Sequence, residues 1–177
     1  MQRRWLGLAL VAFAAASPAQ NLIVNGDFNT DSHGWAFDSV IESWSAQDWD
    51  GGASGSQYIV TNPSWWPDGG SMTQCVDVHG LNRIDFSFYS YLQPAVPMLE
   101  AFDGADCAGT DLGTLGGVTI TKKEWFEGRL DDLALPATTT SVRVSFPFLA
   151  QQKLLIDHVQ LRASGQIYAD GFENAAQ

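Results

Sequence analysis

Apolar and polar residues alternate along most of this chain. In RIDFSFYSYL, residues 83–92, one face of the alternation carries Ile84, Phe86, Phe88 and Leu92. A period of two is the pattern of a β-strand with one buried face. The same pattern predicts strands at QYIVT, VPMLEAF, SVRVSFPFL and KLLIDHVQL, which are residues 57–61, 96–102, 141–149 and 153–161.

Glycine- and proline-rich segments separate these runs and predict loops. They are GGASGS, NPSWWPDGG, DGADCAG and LGGV, residues 51–56, 62–70, 103–109 and 115–118. No window with a helical period is long enough to indicate a helix. The sequence therefore predicts an all-β protein, an antiparallel β-sandwich of the jelly-roll type in a single domain.

The N-terminal residues have the pattern of a signal peptide. Arg3 and Arg4 precede an apolar run over residues 5–16, and the small residues Ser17 and Ala19 follow it. The run is too short for a permanent membrane anchor. We expect a secreted protein, periplasmic or extracellular, with a signal peptide at 1–19, a β-sandwich at 20–162 and a C-terminal tail at 163–177.

Charge and cysteine content narrow the possible partners and the compartment. The chain has 9 basic and 20 acidic residues, a formal net charge of −11, which disfavours nucleic acid and anionic membranes as partners. Its two cysteines, Cys75 and Cys107, lie in the exported part, where a disulfide can form and persist. A metal site would need more ligands and a reactive thiol would need a nearby base, so we predict a structural disulfide.

Several short motifs resemble, in their order, a known family of folds. The motifs are NLIVNGDF, Gly34-Trp35, DGGASGS, TQCV, EWF and LIDHVQL, beginning at residues 21, 34, 50, 73, 124 and 155. Together they resemble the galactose-binding-like jelly rolls of bacterial carbohydrate-binding modules that bind xylan and β-glucans. The resemblance covers about residues 21–162. It implies a β-sandwich in which Trp35 and Trp125 are structural and pack against the sandwich.

The resemblance also implies a calcium ion that ties the N-terminal loop to the last strand. Carried over residue by residue, its ligands are Asp27, which supplies the carbonyl before the buried Phe, together with Asn29, Gln57 and Asp157. Oxygen atoms of carboxylates and amides held by turns suit this hard cation. The alternative is that Asp27 and Asn29 are turn residues and Asp157 caps a loop through hydrogen bonds.

Aromatic residues are the candidates for sugar contact, because the C–H faces of sugar rings stack on Trp and Tyr. Trp65 and Trp66 are adjacent in a loop, so both cannot point inward. Trp44 lies two residues after Glu42, which puts an indole and a carboxylate on one strand face. The full candidate set is Glu42, Trp44, Trp49, Trp65, Trp66, Tyr89 and Tyr91.

Each of these candidates also has a structural explanation. Trp44 with Glu42 could be an indole at a sheet edge beside a solvated acid, and Tyr89 with Tyr91 could simply cover a sheet. Enzyme motifs are missing from the sequence: it has no G-x-S-x-G, no H-E-x-x-H and no phosphate-binding glycine loop. A glycosidase needs two facing carboxylates, and nothing in the sequence brings Glu42 and Glu100 together.

The sequence thus predicts a secreted, non-catalytic carbohydrate-binding module. The expected ligand is a neutral β-linked polysaccharide or a terminal sugar, bound through exposed aromatic residues. The alternative is an extracellular or cell-surface protein-interaction domain that has the same fold without sugar binding.

Overall fold

Ten β-strands and one 3₁₀ turn make up the computed structural model, which describes residues 20–61 and 69–165. The strands of the first half are β1 (Ala36–Asp38), β2 (Ile41–Ser45), β3 (Ser56–Val60), β4 (Gly70–Asp77) and β5 (Arg83–Tyr91). They are followed by β6 (Met98–Phe102), the 3₁₀ turn (Ala105–Cys107), β7 (Asp111–Gly117), β8 (Phe126–Ala134), β9 (Ser141–Phe148) and β10 (Lys153–Ala163).

The strands form two five-stranded antiparallel sheets. The first sheet has the order β1-β4-β9-β6-β7, and the second has the order β2-β3-β10-β5-β8. Across the described residues there is no helix with the length and apolar character that a membrane span requires. The predicted all-β sandwich is confirmed.

The core lies between the two sheets and is filled by the apolar positions of the alternating strands. On β5 these are Ile84, Phe86 and Phe88, and Phe146 of β9 packs edge-on against Phe88 with ring centroids 5.2 Å apart. Burying a phenylalanine side chain of this kind contributes roughly 1.5–3 kcal/mol. The inward positions of β5 and β9 thus hold the sheets together and leave the alternate positions on the outer faces.

Trp35 belongs to this core, as the resemblance implies. It is 8% exposed and its ring lies 5.8 Å from Phe28, which is fully buried. Its indole N–H donates to the carbonyl of Asn25 at 3.3 Å. The segment before β1 is therefore anchored to the sandwich by two aromatic side chains.

The predicted disulfide is also confirmed. Cys75 in β4 is bonded to Cys107 in the 3₁₀ turn, with the two Cα atoms 5.8 Å apart. Cys75 pairs in register with Arg143 of β9, so the bond lies on the outer face of the first sheet. It fixes the β6–β7 connection against that face.

The prediction of a loop at residues 115–118 is wrong, because β7 continues to Gly117. Glycines at positions 113, 116 and 117 dilute the apolar alternation, but the backbone still pairs with β6 through two register shifts. β8 is not evident from the sequence either, since only Gly128 in it is buried. Both are edge strands, whose exposed faces give a weak apolar signal.

Candidate functional site

Aromatic side chains collect on the outer face of the second sheet. Tyr89 of β5 pairs in register with Asp157 of β10 on one side and with Glu127 of β8 on the other. Directly paired residues project from the same face of a sheet. Asp157, Tyr89 and Glu127 therefore form a row across three strands.

The neighbouring row carries two more aromatic residues. Tyr91 pairs with Leu155 of β10, which pairs in turn with Tyr58 of β3. We define the aromatic face as Trp49, Tyr58, Tyr89, Tyr91 and Trp125. Each of these side chains is half-buried, so each covers part of the sheet and keeps part of its ring in solvent.

Trp49 reaches this face from the loop between β2 and β3. Its ring is stacked on Tyr89, with centroids 4.0 Å apart and planes inclined by 20°. The ring of His158 lies 5.3 Å from that of Trp49. Trp49 therefore covers one face of the Tyr89 ring, and we call this stacked pair the aromatic platform.

A second aromatic pair lies farther along β5. Trp125, in the segment just before β8, has its ring 5.5 Å from that of Tyr91. The resemblance implies that Trp125 is purely structural, but the structure places it on the outer face beside a sugar-binding candidate. Because its partner strand is remote in sequence, only the fold reveals this pairing.

The loop that carries Trp49 is organised around the buried carboxylate of Asp48. This side chain is 7% exposed and accepts hydrogen bonds from the backbone N–H groups of Asp50 and Gly55, each at 3.0 Å, and from the Ser54 hydroxyl. Burial acts to raise the pKa of Asp48, but these hydrogen bonds outweigh it and hold that pKa well below its ordinary value. The loop is thus fixed by its own residues.

Asp157 joins this loop to the sheet. Its Oδ2 accepts from the backbone N–H of Trp49 at 3.2 Å, and its Oδ1 accepts from the N–H of His158 at 2.7 Å. Asp157 is 1% exposed, and this burial raises its pKa to about 7; the two N–H donors oppose the shift, and the charges of Asp48 and Asp27 add to it. Its carboxylate therefore positions the Trp49 loop.

Glu127 is the exposed carboxylate beside the platform. It lies one strand from Tyr89, whose phenol has its pKa raised by burial and further by the charge of Glu127, with Arg129 acting in the opposite direction. Glu127 can accept hydrogen bonds from a ligand resting on the aromatic face. The sequence does not single it out, because β8 itself is not predicted.

Glu42 and Trp44 do share one strand face, but it is the opposite face of the second sheet. Trp44 pairs with the buried Gln57, and its indole N–H donates to the Phe28 carbonyl at 2.8 Å. Glu42 Oε2 accepts from the amide of Gln57 at 3.2 Å. The structure thus separates these two predicted sugar contacts from Trp49, Tyr89 and Tyr91.

Two further sugar-binding candidates, Trp65 and Trp66, lie outside the described residues. A cavity of about 520 Å³ opens on the outer face of the other sheet, beside the disulfide, where Thr73, Asp106 and Arg143 contribute to its lining. None of the predicted sugar-contact residues that the structure describes lines that cavity.

Two of the four predicted calcium ligands project from opposite faces of the second sheet. Gln57 pairs with Ile156, so it projects inward, whereas the next residue of β10, Asp157, projects outward. Gln57 Oε1 is buried and has no hydrogen-bond partner within the described part of the chain, but it belongs to the inner face. Asn29 is exposed, and Asp27 Oδ1 lies 2.7 Å from His158 Nδ1.

Within residues 20–61 and 69–165, no three His, Cys, Asp or Glu side chains are grouped so that they could hold a metal ion. Because Gln57 and Asp157 project from opposite faces of the second sheet, the predicted side chains do not fit one shared ion. Calcium binding stays a prediction.

Comparison of the sequence with family models and curated proteins finds no match. No protein-family model matches it, and no curated protein matches it. What is known of other proteins therefore bears on this chain through its fold.

Solved structures do match that fold. The C-terminal family 22 carbohydrate-binding module of Clostridium thermocellum Xyn10B matches with a TM-score of 0.59 at 16% identity, over 85% of this chain and 99% of that one. A family 16 carbohydrate-binding module matches with a TM-score of 0.59 at 14% identity, over 80% and 99%. The fold of this chain is the β-sandwich of carbohydrate-binding modules.

The same fold also occurs within a larger enzyme. The enzymatically active domain of bacteriophage CBA120 tailspike protein 4 matches with a TM-score of 0.65 at 16% identity, over 80% of this chain. This chain spans about a fifth of that protein, since the match covers 21% of it. The match thus concerns one part of the tailspike chain.

Proposed function

We propose that this protein is a secreted, non-catalytic carbohydrate-binding module that binds a neutral β-linked polysaccharide on its aromatic face. The observation that carries the proposal is the stack of Trp49 on Tyr89, next to the pair of Tyr91 and Trp125, on one face of the second sheet. Tyr89 and Tyr91 are two residues apart on β5, about 7 Å along the strand. Two aromatic platforms at this spacing suit successive rings of a chain better than one terminal sugar.

The polar groups of the face complement these platforms. Sugar hydroxyls need oriented donors and acceptors, which the Tyr hydroxyls and the exposed Glu127 carboxylate supply. Because the chain carries a formal net charge of −11, an anionic polysaccharide would be repelled. These features support a neutral ligand.

The geometry of the two carboxylates beside Tyr89 supports a non-catalytic role. Glycosidases use a pair of carboxyl groups that reach the scissile bond from either side. Glu127 and Asp157 flank Tyr89 in this way, but Asp157 is 1% exposed and both its oxygens accept backbone N–H groups. A buried carboxylate that is occupied by the Trp49 loop has no access to a substrate on the face.

Two features support export. The N-terminal residues have the pattern of a signal peptide, and the disulfide between Cys75 and Cys107 is of the kind that persists in oxidising compartments. We therefore place the module in the periplasm or outside the cell.

Affinity electrophoresis through gels containing xylan, β-glucan or galactan tests the function. We expect retardation of the wild type by at least one gel, and a loss of about 1–3 kcal/mol in binding for Trp49→Ala, a tenfold to hundredfold weaker affinity. Phe126→Ala is the matched control, because Phe126 is 41% exposed but pairs with the buried Ser90 and so projects from the opposite face.

Two results would contradict the proposal. Free migration of the wild type through every gel would leave the protein-interaction domain as the better interpretation. Equal retardation of the wild type and Trp49→Ala would show that the ligand binds elsewhere than at the platform.

A further inference from the structure

The N-terminal segment is joined to β10 by direct hydrogen bonds. The side chain of Asn21 donates to the Val159 carbonyl at 3.0 Å and accepts from the Leu161 N–H at 3.0 Å. Leu22 N–H donates to the Leu161 carbonyl at 2.8 Å, and Val159 N–H donates to the Gly26 carbonyl at 2.9 Å. The segment, which is a bend followed by turns, is therefore tied to β10 at several points.

Asp27 and His158 close this contact at the position where the resemblance places the ion. The register of β10 against β5 shifts between Asp157 and Gln160, and His158 has a φ of 47°. Such a bulge turns one extra side chain out of the ladder. Here the imidazole turned out in this way brings its Nδ1 to 2.7 Å from Asp27 Oδ1.

Both ring nitrogens of His158 have partners within the protein. Nδ1 faces the carboxylate of Asp27 and Nε2 faces the side-chain amide of Gln160. The imidazole is therefore held between the N-terminal segment and β10 by protein groups.

The same imidazole also contacts the aromatic platform. Its centroid is 5.3 Å from that of Trp49 and 6.1 Å from that of Tyr89. Asp157, beside it, gives its two oxygens to the backbone of Trp49 and of His158. The two oxygens of Asp157, one of the expected ion ligands, thus accept hydrogen bonds from protein groups that support the platform.

We propose that Asp27, His158 and the Asn21 and Gly26 hydrogen bonds form a metal-free clamp, which joins the N-terminal segment to β10 in place of a calcium ion. The stability of the fold is then independent of calcium. The clamp concerns folding stability, so it holds or fails separately from sugar binding.

Thermal unfolding of the purified protein in calcium chloride and in a chelator is the first test. We expect the same Tm for the wild type in both. A Tm that rises with calcium and falls with chelator would overturn the proposal, because a ligand bound to the folded state alone must stabilise it.

The second test is a double-mutant cycle, in which the Tm of every variant is measured in calcium chloride and in chelator. Asp27→Ala and His158→Ala should each lower Tm by about 2–4 °C, the scale of one lost hydrogen bond in a chain of this size. The double variant should lose little more than His158→Ala alone, because removing His158 already breaks its contact with Asp27.

Asp77, at the end of β4 in the first sheet, and His79 just after it provide matched controls. Asp77→Ala removes an exposed carboxylate that accepts the His79 N–H at 2.8 Å, and His79→Ala removes an exposed imidazole. These two losses should be additive. Additive losses for Asp27 and His158, or no loss at all, would show that their contact does not clamp the segment and would overturn the proposal.

Discussion

Gly128 illustrates how a single residue adapts an edge strand to the core. A Cβ atom at this position would lie 2.3 Å from Cε1 of Phe88 and 2.8 Å from Cδ1 of Ile120. Phe88 is fully buried and packs against Phe146, so its ring has little room to move. The glycine in β8 is therefore required by packing.

Gly128→Ala should lower the free energy of unfolding by about 1–3 kcal/mol, the usual cost of overpacking a core. Gly116→Ala is the control, because a Cβ there would meet Leu130 at an ordinary 3.4 Å. Urea unfolding followed by fluorescence measures both variants. Equal midpoints for the two would show that Phe88 can move aside.

Arg83 and Asp132 form an exposed ion pair whose contribution to stability depends on pH. The hydrogen bond from Arg83 lowers the pKa of Asp132, desolvation opposes this, and the Ser164 hydroxyl and the charge of Arg83 add to the lowering. Because the folded-state pKa is depressed, the pair contributes stability above the ordinary aspartate pKa. That contribution is lost as the pH falls through the folded-state value.

Arg83→Gln should therefore raise the pKa of Asp132 towards its ordinary value. Side-chain carbon chemical shifts in an NMR titration report this pKa directly. Both groups are exposed, so we expect the change in overall stability to be small. An unchanged pKa in the variant would mean that Ser164 alone holds the carboxylate.

At the scale of elements, the loop between β2 and β3 determines whether the aromatic platform exists. The backbone N–H of Trp49 donates to Asp157. The turn after Trp49 donates two backbone N–H groups to the buried carboxylate of Asp48. A loop fixed in advance loses little conformational entropy when a ligand binds. The platform should thus depend on Asp48, which touches no ligand.

Asp48→Ala should weaken polysaccharide retardation about as much as Trp49→Ala does, because the loop would lose three hydrogen bonds at once. Hydrogen exchange of residues 46–55 should become faster in this variant, a change that Trp49→Ala need not cause. Gln47→Ala is the control, since Gln47 lies in the same loop and is exposed, and the hydrogen bonds to Asp48 come from other residues. Unchanged exchange in Asp48→Ala would contradict the role given to this carboxylate.

The elements also show what the sequence could predict and what it could not. Alternation places Tyr89 and Tyr91 on one face of β5, and the structure confirms it. Alternation does not say which strands are neighbours, so the row of Asp157, Tyr89 and Glu127 could not be foreseen. β8 is largely polar because one side of it is exposed, and for that reason Glu127 was not singled out and Trp125 was not placed among the sugar-contact candidates.

At the scale of the whole molecule, the motif order predicted the fold but not the arrangement of the site. The sandwich could be predicted because the alternation of apolar and polar residues is visible in the sequence. The disulfide could be predicted because the chain has two cysteines behind a signal-peptide pattern. The predicted ligand sets depend on which face each residue occupies. Trp44 and Gln57 project from the core-facing side of the second sheet, whereas Trp49 and Asp157 belong to its outer face. The predicted sugar-contact set and the predicted calcium-ligand set therefore each contain residues from both faces.

The charge of the whole molecule leads to the last prediction. An acidic protein that binds through stacking and neutral hydrogen bonds should hold a neutral polysaccharide almost equally at all salt concentrations, because little of the binding energy is screened. Raising sodium chloride from about 0.05 M to about 0.5 M shortens the Debye length about threefold. Retardation by a neutral gel should stay the same over this range.

Anionic polysaccharide gels provide the comparison, because the formal net charge of −11 should prevent retardation at low salt. Glu127→Gln isolates the local contribution, since it keeps the size of the side chain and removes its charge. It should leave the salt response on neutral gels flat. A neutral-gel affinity that falls steeply with salt would mean that ion pairs carry the binding, and the aromatic face would then not be its main determinant.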